Sequence, residues 1–288
     1  MNKADRYNYM NISEILDEGF LDKNPRPHYT DGSPAHTLFV NHNYRTYDLS
    51  QGEFPITSLR PIAWKTGIKE MLWIYQDQSA DLALLRDKYD VKYWDEWESR
   101  DMPGTIGARY GEVVGRYHLM DELLEGLTKD PFGRRHIIDL YQYKELNETD
   151  GLYPCAFCSI WNVRPSEEGL YLDMVLIQRS GDYFMASGAG AINEIQYCGL
   201  LMMVAKHCGY KPGVFSHFVA NEHIYTKLIP LTEEMLRRYE ELRKRHDIKQ
   251  PKLIFNPKSN NFYDFTIDDF SIENYNPIKP QLKGEIAV

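Results

Sequence analysis

The sequence predicts a single α/β domain that spans all 288 residues. Segments with the spacing of helices alternate with segments rich in strand-forming residues. The composition, 43% hydrophobic and 26% charged, is typical of a globular protein. No internal repeat, low-complexity run or linker rich in Pro, Gly and Ser divides the chain. One domain of this length buries most of the surface that its unfolded chain exposes.

Three segments have the spacing of helices. Residues 62–76 (IAWKTGIKEMLWIYQ) carry apolar side chains three and four apart, which predicts a mostly buried helix with Glu70 in its interior. A carboxylate in that position needs water or a polar partner. Residues 120–128 predict a second helix, and the apolar run 195–207 predicts a long core helix that ends near Gly209.

Four segments predict strands. Residues 134–143 (RRHIIDLYQY) are rich in Ile, Leu and Tyr after two arginines. Residues 156–163 and 169–178 predict a hairpin, because the turn-forming sequence RPSEEG joins them. Residues 215–220 predict a further strand, and the last third of the chain ends in short ones.

Charge and composition exclude several classes of protein. The net charge of −9 repels polyanions, so we expect no nucleic-acid partner, and a small anionic ligand would need its own local arginines. No segment approaches the roughly 20 apolar residues that cross a bilayer, and the first residues lack the apolar core of a signal peptide. Four cysteines are too few for a disulfide framework. We therefore expect a cytoplasmic protein with reduced thiols and no membrane partner.

Cys155 is a candidate nucleophile. It follows Pro154 at the start of a predicted strand, and a thiol becomes reactive when nearby positive charge lowers its pKa. A lone cysteine is more often a small buried hydrophobe. Cys155 and Cys158 form a CxxC pair, but no second pair of Cys or His lies at zinc-ligand spacing, so a metal site is disfavoured.

Other polar and aromatic residues are candidate ligand contacts. Guanidinium groups can hold a phosphate through two parallel hydrogen bonds, although each arginine taken alone is more often part of a surface ion pair. Two neighbouring positions in a strand can present a histidine and a tyrosine to one sugar hydroxyl, and tryptophans can stack on a heterocycle. The candidates are Arg26, Arg134, Arg135, Gln178, Arg179, Ser180, Asp182, His223, Tyr225, Trp94 and Trp97.

These segments follow one another in a fixed order: DGSPAHT, AWKTGIKEMLW, YWDEW, GTIGARYG, GRRHI, YPC, QRSGD, NEIQY, EHIY, FYDFTIDDF and a C-terminal EIAV. Over residues 32–288 this order resembles the thymidylate synthase family. The resemblance implies an α+β domain with a large bent mixed β-sheet flanked by helices, and a homodimer. It also implies a deep cleft for dUMP and the co-substrate 5,10-methylenetetrahydrofolate, with no metal.

The resemblance also implies a role for each matching residue. Cys155 would add to C6 of the pyrimidine, which makes C5 nucleophilic, while Arg179 and Tyr110 favour the thiolate and Glu70 organises proton transfer. Asn193 would read the base, and Arg134 and Arg135 would reach the phosphate of the other protomer's site. The remaining nucleotide contacts would be Arg26, Gln178, Ser180, His223 and Tyr225. The folate side would be lined by Arg60, Trp94, Trp97, Asp182 and Val288.

The chain departs from the family pattern in two places near the base. Residues 185–193 replace the usual Leu-Gly-x-Pro-Phe-Asn loop with a longer, glycine-rich one, and Glu194 follows Asn193 directly. The usual Gly-Asp-x-His-x-Tyr is here residues 220–225, ANEHIY, which lacks the aspartate. We expect Glu194 to be able to take over base reading. Lesser changes are Arg60 in place of a lysine and Ala156 after the cysteine.

Three functions therefore remain open. The first is reductive methylation of dUMP to dTMP, with dihydrofolate as the second product. The second is a hydroxymethylase acting on dUMP or dCMP, or a dCMP methylase, with the same folate. The third is a catalytically silent, nucleotide-binding regulatory protein.

Overall fold

A computed structural model describes residues 1–246 and 248–285 of the chain. Its main sheet has six strands in the spatial order β1-β2-β6-β5-β4-β3. All neighbours pair antiparallel except β5 and β6, which are parallel, so the predicted mixed sheet is confirmed. The strands are β1 (Phe20–Leu21), β2 (Thr37–Asp48), β3 (Ile137–Asp139), β4 (Ala156–Ser166), β5 (Gly169–Asp182) and β6 (Lys211–Tyr225).

Helices flank this sheet. They are α1 (Lys3–Glu18), α2 (Trp64–Met71), α3 (Leu82–Tyr89), α4 (Gly111–Arg116), α5 (Leu119–Lys129), α6 (Tyr143–Glu148), α7 (Ile192–Cys208) and α8 (Ile229–Leu242). A small antiparallel hairpin of β7 (Lys252–Phe255) and β8 (Phe270–Glu273) confirms the short C-terminal strands. No described helix is long and apolar enough to cross a membrane.

The core lies between the sheet and the α2–α7 pair. Trp73, Trp161 and Phe215 are completely buried there, and α7 is buried on nearly its whole circumference. Burial on all sides explains why residues 195–207 are continuously apolar. The helix ends as predicted, because Gly209 takes the left-handed conformation (φ 74°) that closes its last turn.

The strand predicted over residues 134–143 is mostly wrong. Only Ile137–Asp139 pairs with β4, and α6 begins at Tyr143. The side chain of Asp139 accepts a hydrogen bond from the backbone N–H of Tyr141 at 2.8 Å. This local turn ends the strand. The predicted hairpin is confirmed and longer than expected, since β4 and β5 pair from Ser166 and Gly169 back to Ala156 and Gln178.

Two long elements had no clear sequence signal. The strand β2 contains His42 at φ 66°, which interrupts its alternation of buried and exposed side chains. The helix α1 buries polar side chains, Asp5, Asn8 and Asn11, beside its few apolar ones. Hydrophobic periodicity is weak in both, and both are held by tertiary hydrogen bonds.

Candidate active site

Cys155 lies one residue before β4 and beside Arg179 of β5. The backbone N–H of Arg179 donates to the carbonyl of Cys155 at 2.9 Å. The guanidinium of Arg179 donates to the carbonyls of Pro154 (2.9 Å) and Tyr153 (2.8 Å), and its Nη2 lies 3.6 Å from Cys155 Sγ. Three contacts on one short segment hold the positive charge against the thiol.

The pKa of the Cys155 thiol is nevertheless raised. Burial raises it, while the positive charges of Arg179 and Arg26 lower it by less. Tyr110 Oη accepts from the backbone N–H of Cys155 at 3.3 Å, which holds the backbone of the candidate nucleophile. Its hydroxyl hydrogen is not used in that contact, so the expected role of Tyr110 beside the thiolate stays a prediction. The arginines act in the predicted direction, and desolvation outweighs them.

Tyr110 itself has an unusual backbone. Its φ of 45° and ψ of −108° lie outside the regions that bulky residues favour. The ring packs edge-on against Trp94, with centroids 5.3 Å apart, and α4 begins at the next residue. The packing of the ring and the hydrogen bond to Cys155 together stabilise a backbone conformation of Tyr110 that is unfavourable in an unfolded chain.

Glu70 of α2 is buried near Tyr110, whose pKa is raised by burial and by the neighbouring Cys155 and Glu70. Burial raises the pKa of Glu70 to about 8, and the neighbouring Trp94 and Gln196 offset part of that rise. Within the described part of the chain, Glu70 Oε2 and Trp94 Nε1 have no hydrogen-bond partner. Trp97 packs edge-on against Trp94, with centroids 5.6 Å apart. The site thus combines aromatic side chains with a buried carboxyl group and an indole N–H, groups that suit a polar heterocycle.

Asn193, at the start of α7, is connected to Glu70 through Gln196. Its Nδ2 donates to Gln196 Oε1 at 2.9 Å, and its Oδ1 accepts from Gln178 Nε2 at 3.3 Å. Nδ2 has two hydrogens and Oδ1 has two lone pairs, and these contacts use one of each. One hydrogen and one lone pair of the Asn193 amide therefore remain. An amide with one free donor and one free acceptor can form two hydrogen bonds to a pyrimidine edge.

Two residues of β6, His223 and Tyr225, point to the same side of the strand as predicted. Their ring centroids are 5.3 Å apart. His223 Nδ1 lies 3.1 Å from Asn221 Oδ1. Burial lowers the pKa of His223 to about 4, so its imidazole is neutral at physiological pH.

The sequence of this chain was compared with those of known proteins. The sequence profile of the thymidylate synthase family matches residues 7–288. Two relatives named thymidylate synthase are each 47% identical over the full length of both chains, one from Lactococcus lactis subsp. lactis strain IL1403 and one from Streptococcus gordonii. The chain belongs to the thymidylate synthase family. A solved thermostable thymidylate synthase A from Bacillus subtilis has the same fold, with a TM-score of 0.85, 34% identity and 99% coverage of both chains.

The departures of this thymidylate synthase family member from the usual pattern have a structural explanation. Glu194 was expected to be able to read the base, but it is fully buried and its Oε1 lies 2.7 Å from Arg45 Nε. Its Oε2 accepts from the backbone N–H of Gly190 at 2.7 Å. Glu222 is buried against the same arginine, at 2.7 Å from Nη1. That expectation for Glu194 is wrong, because its carboxylate is buried against Arg45 in the interior.

Arg45 is the site-related residue that sequence reasoning missed. It lies in β2, and its two carboxylate partners are 149 and 177 positions away in the sequence. Burial raises the pKa of Glu194, but Arg45 and His217 hold it below its usual value. Glu194 attracted notice only because it follows Asn193, and nothing in the sequence of β2 indicated that Arg45 would be its buried partner.

Asp182 and Arg60 lie together on another wall. Asp182 accepts from the backbone N–H of Met185 at 3.0 Å and caps the π-helical turn Tyr183–Ser187, and burial raises its pKa to about 6. Arg60 is buried, donates to the carbonyl of Phe184 and lies over the Phe184 ring at 4.7 Å. Burial lowers the pKa of Arg60 to about 10. The guanidinium therefore braces this turn rather than projecting into solvent.

The remaining candidates lie at the surface or outside the described chain. Arg26, Arg134 and Arg135 are exposed. Arg26 is near enough to lower the pKa of Cys155. Arg134 and Arg135 precede β3 at the edge of the sheet. Val288 lies outside the described residues. Residues 1–246 and 248–285 contain no cluster of His, Cys, Asp and Glu that could hold a metal ion.

Proposed function

We propose that this chain is a thymidylate synthase, which converts dUMP and 5,10-methylenetetrahydrofolate into dTMP and dihydrofolate. Full-length relatives of that name, 47% identical, support the activity. The observation that carries the chemistry is the juxtaposition of Cys155 and Arg179, with Sγ and Nη2 3.6 Å apart. Neither hydroxymethylation nor a silent regulatory role is favoured by any contact in the site. We infer one catalytic domain over residues 1–288 and a cytoplasmic location.

In this proposal Cys155 is the nucleophile. Its sulfur forms a bond to C6 of the pyrimidine, and the electron pair of the C5–C6 double bond moves toward C5 and the ring carbonyl. The raised pKa means that the resting thiol is protonated, so the proton must leave as the nucleotide enters beside Arg179. Arg179 keeps its charge at the sulfur because two carbonyl contacts already hold it. The folate supplies the one-carbon unit and then the hydride that completes the methyl group.

Glu70 is proposed as the proton carrier. Its carboxyl group is protonated below about pH 8 and can donate toward the ring carbonyl as charge develops there. An ordered water bound to the Glu70 carboxyl would carry the proton between that group and the pyrimidine ring. Trp94, Trp97 and Asp182 would line the folate side, with Arg60 bracing the adjacent turn and Val288 closing over it.

The nucleotide would be held at three places. Asn193, oriented by Gln178, would bind the base, and His223 with Tyr225 would bind the 3′-hydroxyl. The phosphate would be held by side chains that share positive charge or a hydroxyl group: Arg26, Arg179, Ser180, and Arg134 and Arg135 of a second protomer. We propose a homodimer for this reason, because the exposed Arg134 and Arg135 have no hydrogen-bond partner among the described residues.

A covalent complex tests this proposal. Incubation with 5-fluoro-dUMP and methylenetetrahydrofolate should trap an adduct, because fluorine at C5 cannot leave as a proton does. Intact-protein mass spectrometry should show both ligands added, and peptide mapping should place them on Cys155. Cys155→Ser should form no adduct, whereas Cys158→Ser, which leaves the nucleophile in place, should form it fully. Clean nucleotide binding without an adduct in the unmodified enzyme would favour the silent role instead.

A further inference from the structure

A fully buried ionic cluster lies beside Gln178. It consists of Arg45 of β2, Glu194 of α7, and His217 and Glu222 of β6, all with 0% exposure. Arg45 lies 2.7 Å from each carboxylate. Buried charges are costly to leave unpaired, so these residues depend on one another. No step proposed above uses this cluster.

The Arg45 cluster surrounds one ring nitrogen of His217, and Gln178 faces the other. His217 Nδ1 lies 3.2 Å from Arg45 Nη2, which donates, and 3.1 Å from Glu194 Oε1, which accepts, so these two contacts hold the ring without deciding whether Nδ1 carries a hydrogen. Gln178 Nε2 donates to the carbonyl of Ser180, so Gln178 Oε1 faces His217 Nε2, and that nitrogen must carry a hydrogen. Burial lowers the pKa of His217, which keeps the ring neutral with one hydrogen. If His217 became protonated, Nδ1 would carry the second hydrogen and donate it to Glu194 Oε1, 3.1 Å away, and the hydrogen on Nε2 would be unchanged.

This hydrogen orients the amide of Gln178. His217 Nε2 donates to Gln178 Oε1 at 3.0 Å. The other end of the amide, Nε2, donates to the carbonyl of Ser180 at 3.0 Å, and a carbonyl only accepts. Both contacts require the same orientation of Gln178. In that orientation its second hydrogen points at Asn193 Oδ1, 3.3 Å away.

The orientation of Asn193 then selects the base. Its free lone pair on Oδ1 and free hydrogen on Nδ2 complement uracil, which presents N3–H and the O4 acceptor. Cytosine presents an acceptor at N3 and an amino group at C4, so it requires the amide turned over. If the Asn193 amide turned over, its Nδ2 would face Gln178 Nε2, so two donors would oppose each other. Its Oδ1 would face Gln196 Oε1, so two acceptors would oppose each other.

We propose that His217 is a positioning residue, held in place by Arg45 and Glu194. It fixes the Gln178 and Asn193 amides in the orientation that accepts uracil and rejects cytosine. The inference rests on the proposed function, because it assumes that Asn193 contacts the base. In this proposal Glu194 and Glu222 share one role, which is to hold Arg45 against His217. Selectivity thus depends on residues that never touch the nucleotide.

Binding selectivity tests the proposal without requiring turnover. Dissociation constants for dUMP and dCMP are measured by calorimetry on the full-length enzyme, His217→Asn and His217→Gln. Glutamine extends far enough to donate to Gln178 Oε1 from the place of Nε2, and asparagine does not. The dissociation constant of dCMP divided by that of dUMP should stay within about threefold of the unmodified enzyme's value in His217→Gln. The same ratio should fall about tenfold in His217→Asn. His207→Asn, at the remote end of α7, is the matched control and should keep the ratio.

Two results would overturn it. One is an unchanged ratio in a folded His217→Asn variant. The other needs no disruptive variant: ¹⁵N-histidine spectra, assigned with His217→Gln, should show His217 as the Nε2–H tautomer, and an Nδ1–H tautomer would contradict the mechanism. An enzyme that binds dUMP selectively but makes no dTMP would refute the proposed function and leave this inference standing.

Discussion

At the scale of single residues, Glu70 shows how burial prepares a group for chemistry. A carboxyl in water is ionised at neutral pH, whereas burial raises the pKa of Glu70 to about 8. A folded carboxyl with a raised pKa holds its proton below that value and loses it above. An enzyme that needs the protonated form therefore loses kcat/KM as pH rises through about 8.

Replacing Glu70 by Gln tests this role. We expect turnover to fall by about 100-fold or more, because proton transfer by a placed group contributes that much. The decline of kcat/KM with dUMP above pH 8 should disappear. Glu145→Gln is the control, since Glu145 of α6 is also buried but contacts Arg116 at the end of α4 and Tyr117 directly after it. A pH profile of Glu70→Gln parallel to that of the unmodified enzyme would exclude Glu70 as the titrating group.

The sequence could predict most candidate residues individually, because they lie in short motifs of recognisable order. Cys155, Glu70 and Asn193 were identified in this way, and their roles stay predictions. Arg45 and His217 could not be found. Their contacts come from four elements, and nothing in the local sequence of β2 or β6 distinguishes a buried ion pair from a surface one.

At the scale of elements, α1 is anchored by polar groups rather than by an apolar face. Asp5 Oδ1 accepts from Thr57 Oγ1 and from the backbone N–H of Ser58, both at 2.8 Å. Its Oδ2 is buried without a partner among the described residues. Burial raises the pKa of Asp5 to about 6. The folded protein therefore binds a proton more tightly than the unfolded chain, and stability falls as pH rises from about 4 through 6.

Asp5→Asn removes the cost of burying an ionised carboxylate, which the folded protein bears above about pH 6, and keeps the acceptor at Oδ1. We expect the free energy of unfolding to rise by about 1–2 kcal/mol at pH 8, and to change little or fall slightly at pH 4, where the native carboxyl is already protonated. Urea unfolding at both values measures the difference. Asp17→Asn, on the same helix but not among its buried residues, serves as control. Equal destabilisation by Asp5→Asn at both pH values would show that the carboxylate itself is required.

Elements with strong periodicity were predicted well, and those held by polar contacts were not. The helix over residues 62–76 and the β4–β5 hairpin followed from apolar spacing and turn residues. The strand β3 was overextended, because the Asp139 side chain forms a turn that periodicity does not show. In β2, the left-handed backbone of His42 interrupts the alternation of buried and exposed side chains, so that strand had no clear periodicity.

At the scale of the whole molecule, the proposal requires two protomers. Arg134 and Arg135 lie at the sheet edge, and in the proposal each pair serves the other protomer's phosphate. Cys155→Ser and an Arg134→Ala/Arg135→Ala double variant should each be nearly inactive. A heterodimer of the two contains one site with an intact cysteine and intact arginines.

Mixing the two inactive variants tests this arrangement. After co-refolding, half of the dimers are mixed and each has one working site, so we expect about a quarter of the activity of the unmodified enzyme. Refolding each variant alone is the control. If the mixture stays as inactive as its components, the arginines serve their own protomer or none.

In the proposed reaction the transferred carbon ends as a methyl group on uracil. The most direct measurement incubates the enzyme with dUMP or dCMP and methylenetetrahydrofolate, then identifies the nucleotide by mass and dihydrofolate by absorbance. We predict dTMP and dihydrofolate in equal amounts from dUMP, and no product from dCMP. A hydroxymethyl nucleotide formed without dihydrofolate, or efficient turnover of dCMP, would contradict the account.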